Sequence, residues 1–295
     1  MPVPSLTRRA LVLGALAAGA AACSSGRTST PDRAAAASPS GGSPSAAASP
    51  SPSPSPSPAP APATPAAIAA RATVPVLCWH QLRPWRAGDS AYSKRLLICP
   101  PANFRAQLDA LSEGGYTTIS PDTYLQHLLT GAALPAKPVL LSFDDSQGTQ
   151  ATEALPQLVK REMTATFFAM TVVLGKKDWL SADDLRRIDA AGMTVAAHTY
   201  DHHRVDRYSG GDWAEQLQRP RAELEKIVGK PVEHFAYPYG AWNAAALPQV
   251  KAAGYRSAYQ LMDDKLDPAT PLYTLRRVLM DSTWNGRQLL ANMTA

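Results

Sequence analysis

From Val74 onward, short runs of apolar residues alternate with stretches whose apolar residues recur every three or four positions. The first kind reads as buried strand and the second as amphipathic helix. Strands are expected over 74–79, 116–119, 138–143, 164–170, 193–197, 234–237, 255–261 and 272–280. Helices are expected over 101–113, 121–129, 153–163, 182–191, 212–228, 243–253 and 286–293. Several are closed by glycine stops at Gly114-Gly115, near Gly131, at Gly192 and at Gly254, and Pro220 is expected to kink the helix that contains it.

This regular alternation predicts parallel strands joined by crossover helices. Seven or eight such units within roughly 220 residues fit a closed barrel better than an open sheet. The expected fold is therefore α/β, a distorted (β/α)7-8 TIM-like barrel. Such a barrel carries its chemistry at the C-terminal ends of its strands, which tells us where to look for reactive residues.

The first quarter of the chain breaks the pattern. Arg8 and Arg9 precede an apolar run over 10–22 that is too short to span a bilayer. The order Thr-Arg-Arg-Ala-Leu-Val resembles a twin-arginine export signal. The run ends in Ala20-Ala21-Ala22-Cys23, which resembles a bacterial lipobox with Ala20 where Leu is commoner. In such signals the cysteine becomes the lipidated first residue, so Cys23 is the expected lipidation site. The alternative is an ordinary cleaved signal and a free secreted product, and both readings place the protein outside the cytoplasm. Residues 24–72 are mostly Ser, Pro, Ala and Gly and cannot bury enough surface to offset their ordering entropy. The Ser-Pro alternation over 49–58 favours polyproline II, so the segment reads as a semi-rigid tether with a reach on the order of 100 Å. The expected organisation is an export signal with lipobox over 1–23, a tether over 24–72 and a single catalytic domain over 73–295, exported and held on the outer face of the membrane by its lipid alone, or secreted.

The formal net charge of +5 includes the two arginines of the export segment and falls to +3 without them. No dense Lys/Arg run is present, which argues against nucleic acid as a partner. Nothing indicates a coiled coil, and a monomer is expected. Apart from Cys23, the chain holds Cys78 and Cys99. In an oxidising compartment they could form a disulfide, or they could pack as two small buried hydrophobes.

Four motifs fall at expected strand ends. Ser142-Phe143-Asp144-Asp145 puts two carboxylates where an apolar strand stops, a pair that a nearby cation would relieve. A solvated turn or helix cap would use the same residues. His198-Thr199-Tyr200-Asp201-His202-His203 follows another strand, and two histidines four apart can converge on one ion, with His203 competing with His202. Tyr237-Pro238-Tyr239-Gly240 allows a sharp turn that points a backbone N–H into a cleft, although an ordinary strand-to-helix loop also fits. Trp79-His80 closes the first strand, His80 being either reactive or structural. One Asp and two His leave a coordination position for water, the catalytic pattern for zinc-like ions.

Phe-Asp-Asp, then His-Thr-x-x-His, then Tyr-Pro-Tyr-Gly, in that order, resembles the polysaccharide deacetylase (NodB homology, carbohydrate esterase four) family. The opening Trp79-His80 pair is similar to its poly-N-acetylglucosamine deacetylase branch. The resemblance runs over 74–290. It implies that Asp145, His198 and His202 bind one divalent metal ion, zinc above cobalt, nickel or iron. It implies that Asp144 is the general base, that His80 is the general acid, and that the Tyr239 N–H holds the oxyanion. The substrate implied is an N-acetylated glycan, an N-acetylglucosamine-containing polysaccharide of the cell surface or wall. Three departures stand out: Ser146 replaces the usual Gly, Ala236 stands where many members carry an Arg that orients the base, and the late Leu-x-x-His motif is absent. We group Arg277 with Tyr239 on the substrate and oxyanion side, as the residue that supplies the lost charge from another strand. Asp263-Asp264 reads as a surface loop, and His127 and His234 read as structural. The competing functional reading is a catalytically inactive relative that binds wall polysaccharide; a hydrolase of another amide, such as a peptide stem, is a third.

Overall fold

The computed structural model describes residues 63–261 and 265–293, all within one compact unit. The export signal with Cys23, most of the tether and Asp263-Asp264 lie outside the described residues. Among the described residues there are eight strands: β1 (Val76–Trp79), β2 (Thr117–Thr118), β3 (Pro138–Asp144), β4 (Thr166–Ala169), β5 (Thr194–Ala197), β6 (His234–Ala236), β7 (Ser257–Tyr259) and β8 (Val278–Leu279). The helices are α1 (Pro65–Arg71), α2 (Pro101–Glu113), α3 (Pro121–Thr130), α4 (Leu155–Lys160), α5 (Ala182–Ala190), α6 (Arg219–Val228), α7 (Ala246–Ala252) and α8 (Gly286–Asn292).

The strands run in the order β7-β6-β5-β4-β3-β1-β8, with β2 paired to the start of β3, and every pairing is parallel. The last segment closes the curl. Leu275 bridges to Tyr259 of β7, and three residues later Val278 pairs with Leu77 of β1. The sheet thus returns on itself through one kinked segment, which is the distortion in the barrel.

Side chains alternate across each strand and sort into two sets. Val76, Leu140, Phe168, Ala196, Ala236, Tyr259 and Leu275 meet in the barrel interior. Leu77, Trp79, Leu141, Phe143, Phe167, Val195 and Phe235 face the helices. In that outer layer Trp79 stacks on Phe143 at 5.7 Å and Phe143 on Phe167 at 4.9 Å. Such aromatic pairs contribute about 0.5–1.5 kcal/mol each beyond their buried area.

The helix boundaries follow local chemistry. In α3 the Ser120 hydroxyl accepts from Thr123 N, Pro121 occupies the first turn, and Gly131 ends it at φ 73°. In α5 Ser181 and Asp184 form a reciprocal capping box. Two expected helices, 153–163 and 212–228, each begin with a π-helical turn, at Gln150–Ala154 and Ala214–Gln218. In the second, Gln218 and Arg219 are both helical, so the helix runs on, and Pro220 stands where the π-helical turn gives way to α6.

One boundary is corrected. Residues 65–71, read as tether, form α1, capped by Thr64, with Ile68 buried in the core and Arg71 Nη1 donating to Leu128 O at 2.9 Å. A single isoleucine among alanines suffices to dock this turn. The two described cysteines are free and buried, so they pack as small hydrophobes and are not joined. No helix among the described residues is long and apolar enough to cross a membrane.

Candidate active site

Four strand ends deliver the site. The inward-facing positions of β1 run Val76, Cys78, His80, and those of β3 run Leu140, Ser142, Asp144, so polar residues top an apolar interior. Asp145 follows with φ 77° and Ser146 with φ 60°, a left-handed pair that swings the two adjacent carboxylates toward one cleft. Ser146 stands where glycine would relax this turn. Its hydroxyl accepts from Met170 N at 2.9 Å and donates to Met170 O at 3.1 Å, which offsets a left-handed cost of roughly 1–2 kcal/mol.

Beyond β5, Thr199 and His202 are also left-handed, at φ 65° and 68°. The Thr199 hydroxyl accepts from His202 N at 3.0 Å and fixes that turn. This tight loop, not a helical coil, selects His202 over its neighbour. His202 turns inward, while His203 is 75% exposed and pairs with Asp201 at 3.1 Å. Tyr239, in the turn after β6, has φ 60° and packs edge-on against His202, ring centroids 4.6 Å apart. Gly240 at φ 68° is required there, because a Cβ would come within 2.8 Å of Leu261 N. Strained non-glycine backbone thus gathers around one cleft, as it does at functional sites.

Asp145 Oδ1 lies 3.4 Å from His198 Nε2 and 3.1 Å from His202 Nε2. The donor atoms of all three residues fall within 4.8 Å of one another. His198 Nδ1 engages Ala236 O at 2.8 Å; a carbonyl only accepts, so that nitrogen carries the proton and Nε2 presents its lone pair. A bare His198 Nε2 facing a carboxylate is repelled unless a cation sits between them. Asp145 Oδ1 is sealed from solvent and has no hydrogen-bond donor among the described residues. This donor set fits a divalent metal ion of the zinc class.

Asp144 sits beside this triad, Oδ2 3.8 Å from His198 Nε2. Arg277 grips it with both terminal nitrogens, Nη1 to Oδ1 at 2.6 Å and Nη2 to Oδ2 at 2.8 Å, each side chain almost wholly buried. Burial alone would push the Asp144 carboxyl up, but the Arg277 charge and hydrogen bonds, with His198 and His80 beside it, together outweigh burial and hold the pKa at about 2. Arg277 Nε donates to Gln260 O, and its guanidinium lies 5.1 Å from the Phe168 ring centroid. The Asp144 carboxylate engages both terminal nitrogens of Arg277, and Nη1 also donates to Ser142 Oγ at 3.4 Å, so the guanidinium stands behind Asp144. Ala236, where the resemblance expects an orienting Arg, lines the interior of β6.

His80 lines the same cavity, with a ring nitrogen within 4.8 Å of an Asp144 oxygen. Its Nδ1 is buried without a hydrogen-bond partner among the described residues. Desolvation lowers its pKa, and the nearby carboxylates oppose that shift only partly. Gln150, which no sequence pattern marks, donates to the backbone carbonyls of both His80 and Asp144 and ties β1 to β3 at the site. Tyr92, Leu97, Leu261 and Leu279 complete the cavity wall and likewise carry no sequence signal. His127 bonds Ala132 O, and buried His234 bridges Ser257 and Asp122 across the barrel from these residues. Trp79 and Trp242 spend their indole N–H groups on Gln107 and Gln260.

The sequence profile described as polysaccharide deacetylase matches residues 131–258. The chain is 23% identical over 215 residues to a protein named putative polysaccharide deacetylase YxkH of Bacillus subtilis, covering 73% of this chain and 74% of that one. It is 25% identical over 193 residues to the poly-beta-1,6-N-acetyl-D-glucosamine N-deacetylase of Staphylococcus aureus, covering 61% of this chain and 66% of that protein's length. Among solved structures, IcaB from Ammonifex degensii superposes with a TM-score of 0.62 at 27% identity, covering 76% of this chain and 97% of that one. The matched region contains both the acidic pair and the two converging histidines, and over it the chain is similar to polysaccharide deacetylases.

Proposed function

We propose that this protein hydrolyses N-acetyl groups from an N-acetylglucosamine-containing polysaccharide of the cell surface or wall. The observation that carries this reading is the convergence of Asp145, His198 and His202 within 4.8 Å, beside a buried Asp144 held by Arg277. The first three would hold one divalent ion, zinc by preference for an Asp-His-His set. When bound, that ion supplies Lewis acidity toward the amide carbonyl and the attacking water.

The chain's own residues do the rest. Asp144 stays ionised at neutral pH and accepts the proton of the attacking water. His80 donates a proton to the departing nitrogen, so that one water and one amide become acetate and a free amine. Tyr239 lines the cavity in a strained turn, and its N–H is the group assigned to the developing oxyanion. Arg277 keeps the Asp144 carboxylate charged and fixed in orientation. With that cation in place, the departure at Ala236 no longer favours an inactive binding protein.

The 1–23 segment and Cys23 support export and lipid anchoring on the outer membrane face, with the chain acting as a monomer on the adjacent polymer. The test is acetate release from an N-acetylglucosamine oligomer by the metal-loaded protein, with Asp144→Asn as control. Release that persists undiminished in Asp144→Asn, or mass loss corresponding to peptide cleavage, refutes the assignment.

A further inference from the structure

The catalytic cavity encloses about 120 Å³. That lies below the roughly 300–1,000 Å³ of sites that enclose a whole small ligand. It can take an acetamido arm, and the sugar ring must rest outside. Two larger clefts open at its mouth. One, of about 430 Å³, is walled by Tyr92, Leu96, Leu261, Leu279 and Trp284. The other, of about 410 Å³, is polar, with Arg204, Arg207, Asp212 and Gln216. Tyr239 lines all three spaces, and Tyr92 lines both the cavity and the first cleft. These shared walls put both clefts beside the catalytic cavity.

Tyr92 is 60% exposed and Tyr239 62%. Tyr92 stands on the segment between β1 and α2, next to the π-helical turn Ser93–Leu97. A large aromatic ring left in water at the lip of a catalytic cavity offers a flat apolar face that a ligand can cover. The C–H face of a pyranose ring matches it in size and polarity. We propose that Tyr92 is a specificity-determining residue whose ring stacks on the sugar adjacent to the one being deacetylated, so that the substrate is an internal unit of a chain with neighbours in both clefts. This rests on the deacetylase reading above.

The experiment is kcat/KM on N-acetylglucosamine oligomers of increasing length, using the metal-loaded full chain. Wild type is expected to gain roughly tenfold once a chain is long enough to fill both clefts. Tyr92→Ala is expected to lose about three- to tenfold more on those long chains than on the free monosaccharide, mainly through KM. Tyr92→Trp, which keeps a stacking face, should restore the loss. Tyr92 is 60% exposed, and unchanged metal content and urea unfolding midpoint of each variant verify the fold. A rate indifferent to chain length, or a Tyr92→Ala loss equal at every length, overturns the subsite while leaving the deacetylase reading intact. Absence of acetate from every oligomer with metal bound overturns both.

Discussion

Arg277 and Asp144 lie 133 residues apart in sequence and meet as a buried two-pronged ion pair. The meeting depends on barrel closure. The segment entering β8 must cross from β7 to β1 for its guanidinium to reach the end of β3.

Replacing Arg277 by Met leaves a carboxylate buried without its partner. Unfolding in urea should show a loss of about 3–5 kcal/mol. Arg277→Lys keeps the charge but not the fork, and kcat/KM should fall at least tenfold with metal content unchanged. Wild-type activity in Arg277→Lys would remove the orienting role.

The same pair sets an acid dependence of stability. The folded pKa of Asp144, about 2, is depressed from its ordinary 3.8. A depressed carboxyl stabilises the fold above its unfolded pKa, and that stabilisation is lost as pH falls through the folded value. In metal-free protein, the gap in unfolding free energy between wild type and Asp144→Asn should narrow by about 2 kcal/mol between pH 5 and pH 2. A constant gap would contradict the assignment.

The loop after β5 separates two adjacent histidines by direction. His202→Ala should abolish stoichiometric metal binding and, with it, activity, as chelation of the wild type should. His203→Ala, which removes an exposed ring paired to Asp201, should retain both. Metal analysis of the purified variants decides this, and equal losses in the two would place the ligand wrongly.

Burial pushes the Cys99 thiol up to about 12 and the Cys78 thiol well above its usual range. Only thiolates react, so both should resist iodoacetamide in the folded state. In the Cys23→Ser protein, denaturation without reductant should expose two reactive thiols per chain. A disulfide would give none.

Local pattern was enough to find most of the strands and helices, because a buried strand or an amphipathic helix carries its period within its own residues. The sites of the acidic pair and of the histidines were equally legible, since polar residues that end apolar strands stand out against their runs. α1 was missed because its seven residues carry one large side chain, and only docking on α3 reveals it. Tyr92 and Gln150 were missed because nothing near them in sequence marks a wall or a brace.

What the sequence alone determined, then, was the parallel alternation, the strand-end placement of Asp144, Asp145, His198 and His202, and the resemblance that named their chemistry. Tertiary structure decided which histidine turns inward, that Cys78 and Cys99 stay apart, and that Arg277 meets Asp144. The reason is physical. Secondary structure is chosen by neighbours along the chain, whereas left-handed turns, strand register and barrel closure choose neighbours across it, and charges interact with whatever that closure brings within a few ångströms.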